Sequence, residues 1–447
     1  MNQTLLSWAK KIVVTILTIL SRSILKKYKP FVFAVTGSVG KTSTKDALYT
    51  ILAATSGKRV RRNEKSFNSE TGVPLTIIGR PNGWYDVSSW LVTFWQGIKL
   101  IVQDHEYPEI LVLEVGADKP NDIYDITRWL KPDVSVMTKV GHIAVHVEFF
   151  ESAEHLLKEK SYLLDETKKG GQIILSADDP EVMKAGAGRD EKQGVTISTF
   201  GITSEATIKA GNIEVIYDSN QKPLGMKADI VWNGNSETLE IKGALGKQFL
   251  YPSLAALTAA FAYGIDPRQG IKALSAHAPS KGRMNILDGL NDSLILDDTY
   301  NSSPDALREA LNALGMVQGA YAQRKFVIIG DMMELGKYSV EQHTLLGAEV
   351  AKVLSPQDFL FTIGQRAQGF AQGARSAGFP DKHIVSLSRS TEVAVVVKNM
   401  VKKGDIVLIK ASQSIRAEVI TETLLKDPAK AVDLLVRQEP EWKEKGF

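Results

Sequence analysis

Cysteine is absent from the chain. Disulfides, thiolate nucleophiles and cysteine zinc sites are therefore excluded, and the composition suits a reducing, cytoplasmic compartment. Charge excess is also small. The formal net charge is +3 over 447 residues, and no DNA- or RNA-binding module is visible, so nucleic acid is not an expected partner. The apolar run Ile12–Leu20 is too short to span a bilayer comfortably. No small-residue cleavage site follows it, so a signal peptide does not fit. There is no internal repeat or low-complexity tract. What is present, 44% hydrophobic and 23% charged residues, is the composition of a soluble globular protein, with length for about three domains.

Acidic residues are missing from Met1–Pro30, which carries Lys10, Lys11, Arg22, Lys26, Lys27 and Lys29. Leu5, Leu6, Trp8, Ile12, Leu17, Leu20, Ile24 and Leu25 can share one broad helical face. Two readings stay open. The helix lies peripherally on the inner membrane face, or it docks on the protein's own body.

The chain is organised around the next stretch. A β-branched, apolar run, Phe31–Val35, breaks into Thr36-Gly37-Ser38-Val39-Gly40-Lys41-Thr42-Ser43, and a helical pattern follows through Ala47 and Leu48. Strand, glycine loop and helix with Gly-Lys-Thr hold a nucleoside triphosphate: glycines let backbone N–H groups approach the phosphates, and the helix N-terminus adds partial positive charge. Lys41 would reach the β- and γ-phosphates, and the Thr42 hydroxyl would sit on Mg²⁺. Val35 stands where the strict pattern has its first glycine, so Gly37 supplies the turn.

Arg61–Ile78 reads as a polar loop turning apolar after Pro74, either approaching the phosphates or lying on the surface. Trp84–Val102 reads as an amphipathic helix of unusual aromatic weight, core-facing, with an interfacial patch beside the first helix as the alternative. Glu109–Gly116 is a buried strand ending in Glu114, where an open α/β sheet places a magnesium-directed carboxylate. Lys131–Val140 is a further strand, running into a loop with His142 and His146. Strand–helix alternation argues a doubly wound parallel sheet. Short strands from Gly194 to Gly243 argue a small β-rich lobe. After the basic, hinge-like Ser280–Arg283, a second α/β unit begins near Met284, with polar signatures again at strand ends. The expected architecture is α/β: a central phosphate-loop ATPase domain with a parallel sheet and a small β-rich lobe, then a C-terminal Rossmann-like α/β domain. The expected boundaries are 1–29, 30–283 and 284–447.

TGSVGKTSTKD, SETGVPLTIIG, LEVGAD, HVEFF, KGR, DDTYNSSPDAL, GDMMELG and GDIVLIKAS occur in this order. Together they resemble the Mur ligase family of ATP-dependent amide-forming enzymes, from about residue 31 to about residue 420. Similarity is greatest to members that add D-alanyl-D-alanine to a UDP-muramoyl peptide in peptidoglycan precursor synthesis. The resemblance implies that Gly37, Ser38, Gly40, Lys41, Thr42 and Ser43 cradle the phosphates of ATP. It implies that Thr42 and Glu114 hold Mg²⁺, and that His146 helps hold a second. A carbamylated lysine of the following helix falls on Lys160, with Lys158 as runner-up. Asn68 would face the phosphates and Arg283 would reach the γ-phosphate. Asp298, Tyr300 and Asn301 would arrive from the C-terminal lobe, and Lys410 and Ser412 would line the amine side. The phosphate loop begins without the family's usual UDP-binding domain before it, so the carboxylate substrate is expected to differ or to be lipid-linked. Gln248 and Pro252 replace the histidine and asparagine expected near the nucleotide base. A folate-polyglutamate type of ligase and a non-ligating, membrane-associated nucleotide-binding scaffold are the alternative readings.

Overall fold

The apolar runs Phe31–Val35 and Ile110–Leu113 lack the alternation of a half-exposed strand. In the computed structural model both are central strands covered on two faces. The structure describes residues 3–64, 67–83, 86–140, 150, 152–276, 279–333 and 335–443.

The first lobe opens with α1 (Gln3–Tyr28), β1 (Phe31–Thr36), α2 (Lys41–Thr55), β2 (Val60–Arg62), α3 (Gly72–Ile78) and α4 (Val87–Val102). It continues with β3 (Ile110–Glu114), α5 (Asp122–Leu130), β4 (Val134–Met137), α6 (Ala153–Asp165), β5 (Gln172–Ser176), α7 (Pro180–Gly186) and α8 (Arg189–Gln193). Strands β6 (Thr196–Gly201), β7 (Ile208–Tyr217), β8 (Pro223–Trp232) and β9 (Asn235–Lys242) precede α9 (Leu250–Tyr263) and α10 (Pro267–Leu274). These strands form one sheet in the order β2-β3-β1-β4-β5-β6-β7-β8-β9. It is parallel as far as β7 and antiparallel beyond. The β-rich segment expected as a small lobe therefore prolongs the parallel sheet, because β6 pairs with β7 through Phe200–Ile208 and Gly201–Lys209.

The second lobe runs β10 (Asn285–Asp288), β11 (Leu294–Asp298), α11 (Pro304–Met316), β12 (Arg324–Gly330) and α12 (Ser339–Val353). Next come β13 (Phe359–Ile363), α13 (Gln368–Ser376), β14 (Ile384–Leu387), α14 (Ser390–Met400), β15 (Asp405–Lys410) and α15 (Glu418–Leu424). Its sheet order is β10-β11-β15-β12-β13-β14, antiparallel only at β10.

Side-chain alternation along β1 assigns its two faces. Phe33 and Val35 enter a core with Leu48, Ile51 and Leu52 of α2 and Leu254 and Leu257 of α9. Val32 and Ala34 enter the opposite core, where Leu17, Leu20 and Ile24 of α1 meet α3, α5 and α6. The carboxyl-terminal half of α1 is thus a layer helix of this lobe. The single apolar face expected for α1 splits, because Trp8 and Ile12 are exposed while Leu17, Leu20 and Ile24 are buried. The side chains of Leu5 and Leu6 lie outside the described residues. Helix α4 buries Thr93, Gly97 and Leu100 and leaves Leu91, Trp95, Ile98 and Val102 exposed. It is core-facing along one side only, and Trp84 and Tyr85 lie outside the described residues. Arg61–Ile78 contributes a short strand at its start and α3 at its end, where a loop was expected.

Strand β1 ends at the phosphate loop, so its packing sets the loop's position. Phe33 is fully buried, its ring meeting Phe31 and Tyr263. Phe33→Ala should destabilise the protein by about 3–5 kcal/mol. Urea unfolding reads this as a lowered midpoint, and an unchanged midpoint would contradict the packing described.

Candidate active site

Two glycines bend the loop after β1 where a side chain could not follow. Gly37 has φ 142°, and a Cβ there would lie 2.0 Å from the Thr138 hydroxyl oxygen. Gly40 has φ 86° and is the residue before α2. Ser38 N and Val39 N donate to Lys139 O at 2.8 and 3.1 Å, fastening the loop to the end of β4. The sheet reverses direction of growth at β1, between β3 and β4, which is where open α/β sheets bind ligands.

Two amines converge on one oxygen of this loop. Lys41 Nζ donates to Gly37 O at 2.8 Å, and Lys160 Nζ, from α6, donates to the same oxygen at 3.0 Å. Lys160 is buried and Lys158 exposed, so of the two candidate lysines only Lys160 reaches the loop. Burial, and then the neighbouring Lys41 charge, push the Lys160 amine down to about 7. Glu159, the preceding residue, accepts from Asn121 N at 2.9 Å and Ile123 N at 2.7 Å, pinning α6 to the start of α5.

An oxygen pair stands beside the amines. The Thr42 hydroxyl donates to Glu114 Oε2 at 2.8 Å, and the Asn68 amide donates to Glu114 Oε1 at 2.9 Å. Asn63 accepts from Glu114 N at 2.8 Å and donates to Glu114 O at 3.0 Å, fixing the end of β3. The Ser38 hydroxyl is buried without a partner among the described residues.

The second lobe faces this loop across a cleft of about 1230 Å³, lined by Thr42 and Ser43 on one side and Arg283, Tyr300 and Gln413 on the other. The Arg283 guanidinium lies over the Tyr300 ring, 4.2 Å from its centre. Asp298 and Lys410 are register partners on β11 and β15. They form a buried ion pair at 2.6 Å, and Lys410 also donates to Asn301 O at 2.8 Å. Burial lowers the Lys41 and Lys410 amines, and the Arg283 charge adds to this at both. The Ser412 hydroxyl accepts from Met333 N at 2.9 Å. In this conformation Asp298 and Lys410 therefore hold each other and the loop to Asn301, while Tyr300 is the member that lines the cleft.

Of the residues singled out from sequence, Gly37, Gly40, Lys41, Thr42, Asn68, Glu114 and Lys160 come together. His146 lies outside the described residues. Sequence reasoning missed Asn63, Glu159 and the whole carboxyl-terminal segment. Arg437 donates to Thr299 O, to Tyr300 O at 3.2 Å and to Glu418 at 2.9 Å. Lys281 donates to Val432 O at 2.8 Å. Residues 435–440 and Trp442 line the cleft, and no motif marks them.

The site carries a stability signature. A buried lysine whose amine titrates near 7 binds fewer protons folded than unfolded between there and the ordinary lysine range. Stability contributed by this residue therefore rises with pH across that window, by up to about 1.4 kcal/mol per pH unit. Urea curves of wild type and Lys160→Met in CO₂-free buffer should diverge on going from about pH 7 to about pH 10, wild type gaining. Parallel pH dependences would mean that the amine is not desolvated.

Two family models match the chain: Mur ligase middle domain over residues 96–260, and Mur ligase, glutamate ligase domain over residues 282–413. The chain is 27% identical over 416 residues to the UDP-N-acetylmuramoyl-tripeptide–D-alanyl-D-alanine ligase of Bacillus subtilis, covering 93% of this chain and 80% of that protein. Among solved structures it is similar to the MurF ligase of Thermotoga maritima in complex with ADP, at a TM-score of 0.72 and 27% identity, over 93% of this chain and 84% of that one. The folylpolyglutamate synthase of Mycobacterium tuberculosis shares the fold, with a TM-score of 0.61 at 12% identity over 91% of this chain and 95% of that one. Together with the converging phosphate loop, carboxylate and buried lysine, these matches show that the chain belongs to the Mur ligase family.

Proposed function

We propose that the protein is an ATP-dependent ligase of cytoplasmic peptidoglycan precursor synthesis, joining D-alanyl-D-alanine or a similar amine to the carboxylate of a muramoyl peptide. The observation that carries this reading is the cleft lined by Thr42, whose hydroxyl donates to Glu114, by Arg283 of the hinge and by Tyr300 of the second lobe. The chemistry follows from the substrates. A carboxylate is a poor electrophile, so its oxygen takes the γ-phosphoryl group of ATP, giving an acyl phosphate and ADP. The amine nitrogen then attacks the carbonyl carbon, loses a proton, and the tetrahedral intermediate expels inorganic phosphate as the amide forms. Positioning and charge neutralisation are the enzyme's main tasks.

The residues fit a bound nucleotide. Gly37 and Gly40 open the loop backbone, the unpartnered Ser38 hydroxyl is available to a phosphate oxygen, and Ser43 lines the cleft beside it. Lys41 and Arg283 would offset charge on the γ-phosphate. Asp298 and Asn301 would hold Tyr300 at the cleft, and Lys410 and Ser412 would shape the amine side from behind. The crevice behind the loop is lined by Gly40, Thr138, Gln248, Tyr251 and Pro252, and Gln248 Oε1 is buried without a partner among the described residues.

A magnesium ion also fits. Thr42 and Glu114 offer hard oxygens, and Mg²⁺ characteristically takes one or two protein ligands with phosphate oxygens and water. Among the described residues no group of three His, Cys, Asp or Glu side chains forms a cage. Bound there, the ion would neutralise charge between the β- and γ-phosphates. A depressed amine is neutral often enough to take up CO₂, so carbamylation of Lys160 would turn a cation into an anion able to hold a second ion with His146.

Mass spectrometry of ATP reactions with UDP-muramoyl tripeptide and D-alanyl-D-alanine should show the condensed product with matched ADP release. Lys41→Ala should lower turnover at least about a hundredfold. Product only from folate and glutamate, or wild-type turnover by the variant, would overturn the reading. In Lys160→Ala, a small carboxylic acid should restore part of the lost activity by supplying the missing anion. The absence of any rescue, with full activity retained, would remove Lys160 from metal binding.

A further inference from the structure

The ligase reading leaves one surface unused. On α4, Leu91, Trp95, Ile98 and Val102 are exposed, at spacings of one helical stripe. On α1, Trp8, Ile12 and Ile19 are exposed as well, likewise on one stripe. The two helices meet closely, because Gly97 carries no side chain: a Cβ there would lie 2.8 Å from Leu20 Cδ1. Half-buried Ile16 and Phe94 belong to the core beneath the two helices, so the two stripes adjoin as one apolar face. Lys27 locks the pair, donating to Leu100 O and Ile101 O at 3.1 Å and to Gln103 O at 2.6 Å at the end of α4.

Basic charge predominates along this face. Neither α1 nor α4 contains Asp or Glu, and of the acids at the two ends of α4, Asp86 caps its start while Asp104, beyond its end, pairs with Lys27 at 3.0 Å. Beside Ile19 opens a groove of about 570 Å³ lined by Arg22, Lys26, Lys29, Lys131 and Lys168, with no acidic side chain in its lining. Lys131 and Lys168 have carboxylate partners in Glu166 and Asp133. Arg22, Lys26 and Lys29 have none among the described residues. On the other flank Lys99 lies over the Trp95 ring, 5.2 Å from its centre. No described helix is long and apolar enough to cross a membrane.

We propose that the α1–α4 face is a peripheral docking surface for an anionic lipid bilayer. The exposed tryptophans and aliphatic side chains enter the headgroup–acyl boundary, and the Arg22–Lys26–Lys29 groove takes lipid phosphates. Apolar area and basic charge together are what interfacial binding needs, and charge complementarity selects an anionic bilayer over a neutral one. Lys10, on the side of α1 away from Trp8 and Ile12, pairs with Glu70 at 2.8 Å, between Ser69 and Thr71 of the cleft lining, so the amino-terminal half of α1 is tied to the segment that forms part of the cleft wall.

The test is cosedimentation of the full-length protein with phosphatidylcholine vesicles with and without phosphatidylglycerol, at low and high salt. Wild type should bind only vesicles containing phosphatidylglycerol, and salt should weaken the binding. Reversing two charges, Arg22→Glu with Lys26→Glu, should weaken it by roughly thirtyfold or more. Trp95→Ser with Ile98→Asn should also weaken binding, and both double variants should keep their circular dichroism and ADP release. No binding to anionic vesicles, equal binding to neutral ones, or unchanged binding by the charge-reversed variant would overturn the proposal. A wild-type dimer by light scattering that becomes monomeric in Trp95→Ser/Ile98→Asn, without vesicle binding, would assign the face to a second copy and overturn it too. Vesicle binding without ADP release on any substrate pair would leave the docking surface standing and remove only the ligase reading.

Discussion

One carbonyl oxygen, that of Gly37, accepts from two lysine amines. Two cations sharing one neutral acceptor repel each other, and both are lowered mainly by loss of water. The arrangement is stable only because strands and helices hold it from both sides. Gly37 is fixed by the end of β1 and by the Lys139 carbonyl beyond β4, while Lys160 is fixed by α6, which Glu159 pins to α5. Two desolvated amines at the mouth of a glycine loop, offset only in part by Glu114 and Asp118, are a demand for a further anion. On the proposed ligase reading a triphosphate would meet that demand, and carbamylation of one amine would meet it differently, by reversing a charge. The same electrostatic fact would then account both for nucleotide binding and for modification of Lys160.

The carboxylate beside the amines is prepared in the opposite sense. Glu114 is buried and receives donors from Thr42 and Asn68, so both of its oxygens are held in one orientation. Asn63 anchors its backbone in both directions. The second lobe shows the same economy at Asp298 and Lys410, whose ion pair joins the ends of β11 and β15. Such a buried pair is weak evidence of net stability. What it does is fix the loop that carries Tyr300, which Arg437 grips from the far end of the chain. Arg283 is stacked on the Tyr300 ring, so the same loop holds both side chains at the cleft.

How much of this was legible in the sequence follows from how local each feature is. The phosphate loop is contiguous, and glycine has a backbone reason at Gly37 and Gly40, so it could be read directly. Glu114 was legible because strand ends are where an open sheet places its ligands. Lys160 against Lys158 was not decidable by spacing alone, since the difference is that Lys160 is buried against the loop at Gly37 while Lys158 is exposed. Asn63 and Glu159 act through backbone amides distant in sequence, which no motif records. Arg437 grips residues more than a hundred positions earlier, a contact that only the folded topology creates. The β-rich segment was read correctly as strands. Its continuity with the parallel sheet depended on the short β6–β7 pairing, a register that composition does not specify.

Helix α1 shows why amphipathicity by itself could not separate its two readings. A hydrophobic stripe records that one side of a helix avoids water, and it says nothing of what covers it. In the fold the two coverings divide along the helix. From Leu17 onward the inner side completes the core beneath β1. Trp8, Ile12 and Ile19 face outward beside an equally apolar α4. Because the inner half is indispensable to the lobe that holds the phosphate loop, α1 cannot be a detachable anchor. Any surface it presents is rigidly tied to the site through β1, the strand that carries Gly37. Docking through that helix would therefore fix the orientation of the cleft, where a flexible tether would fix only its distance from the bilayer.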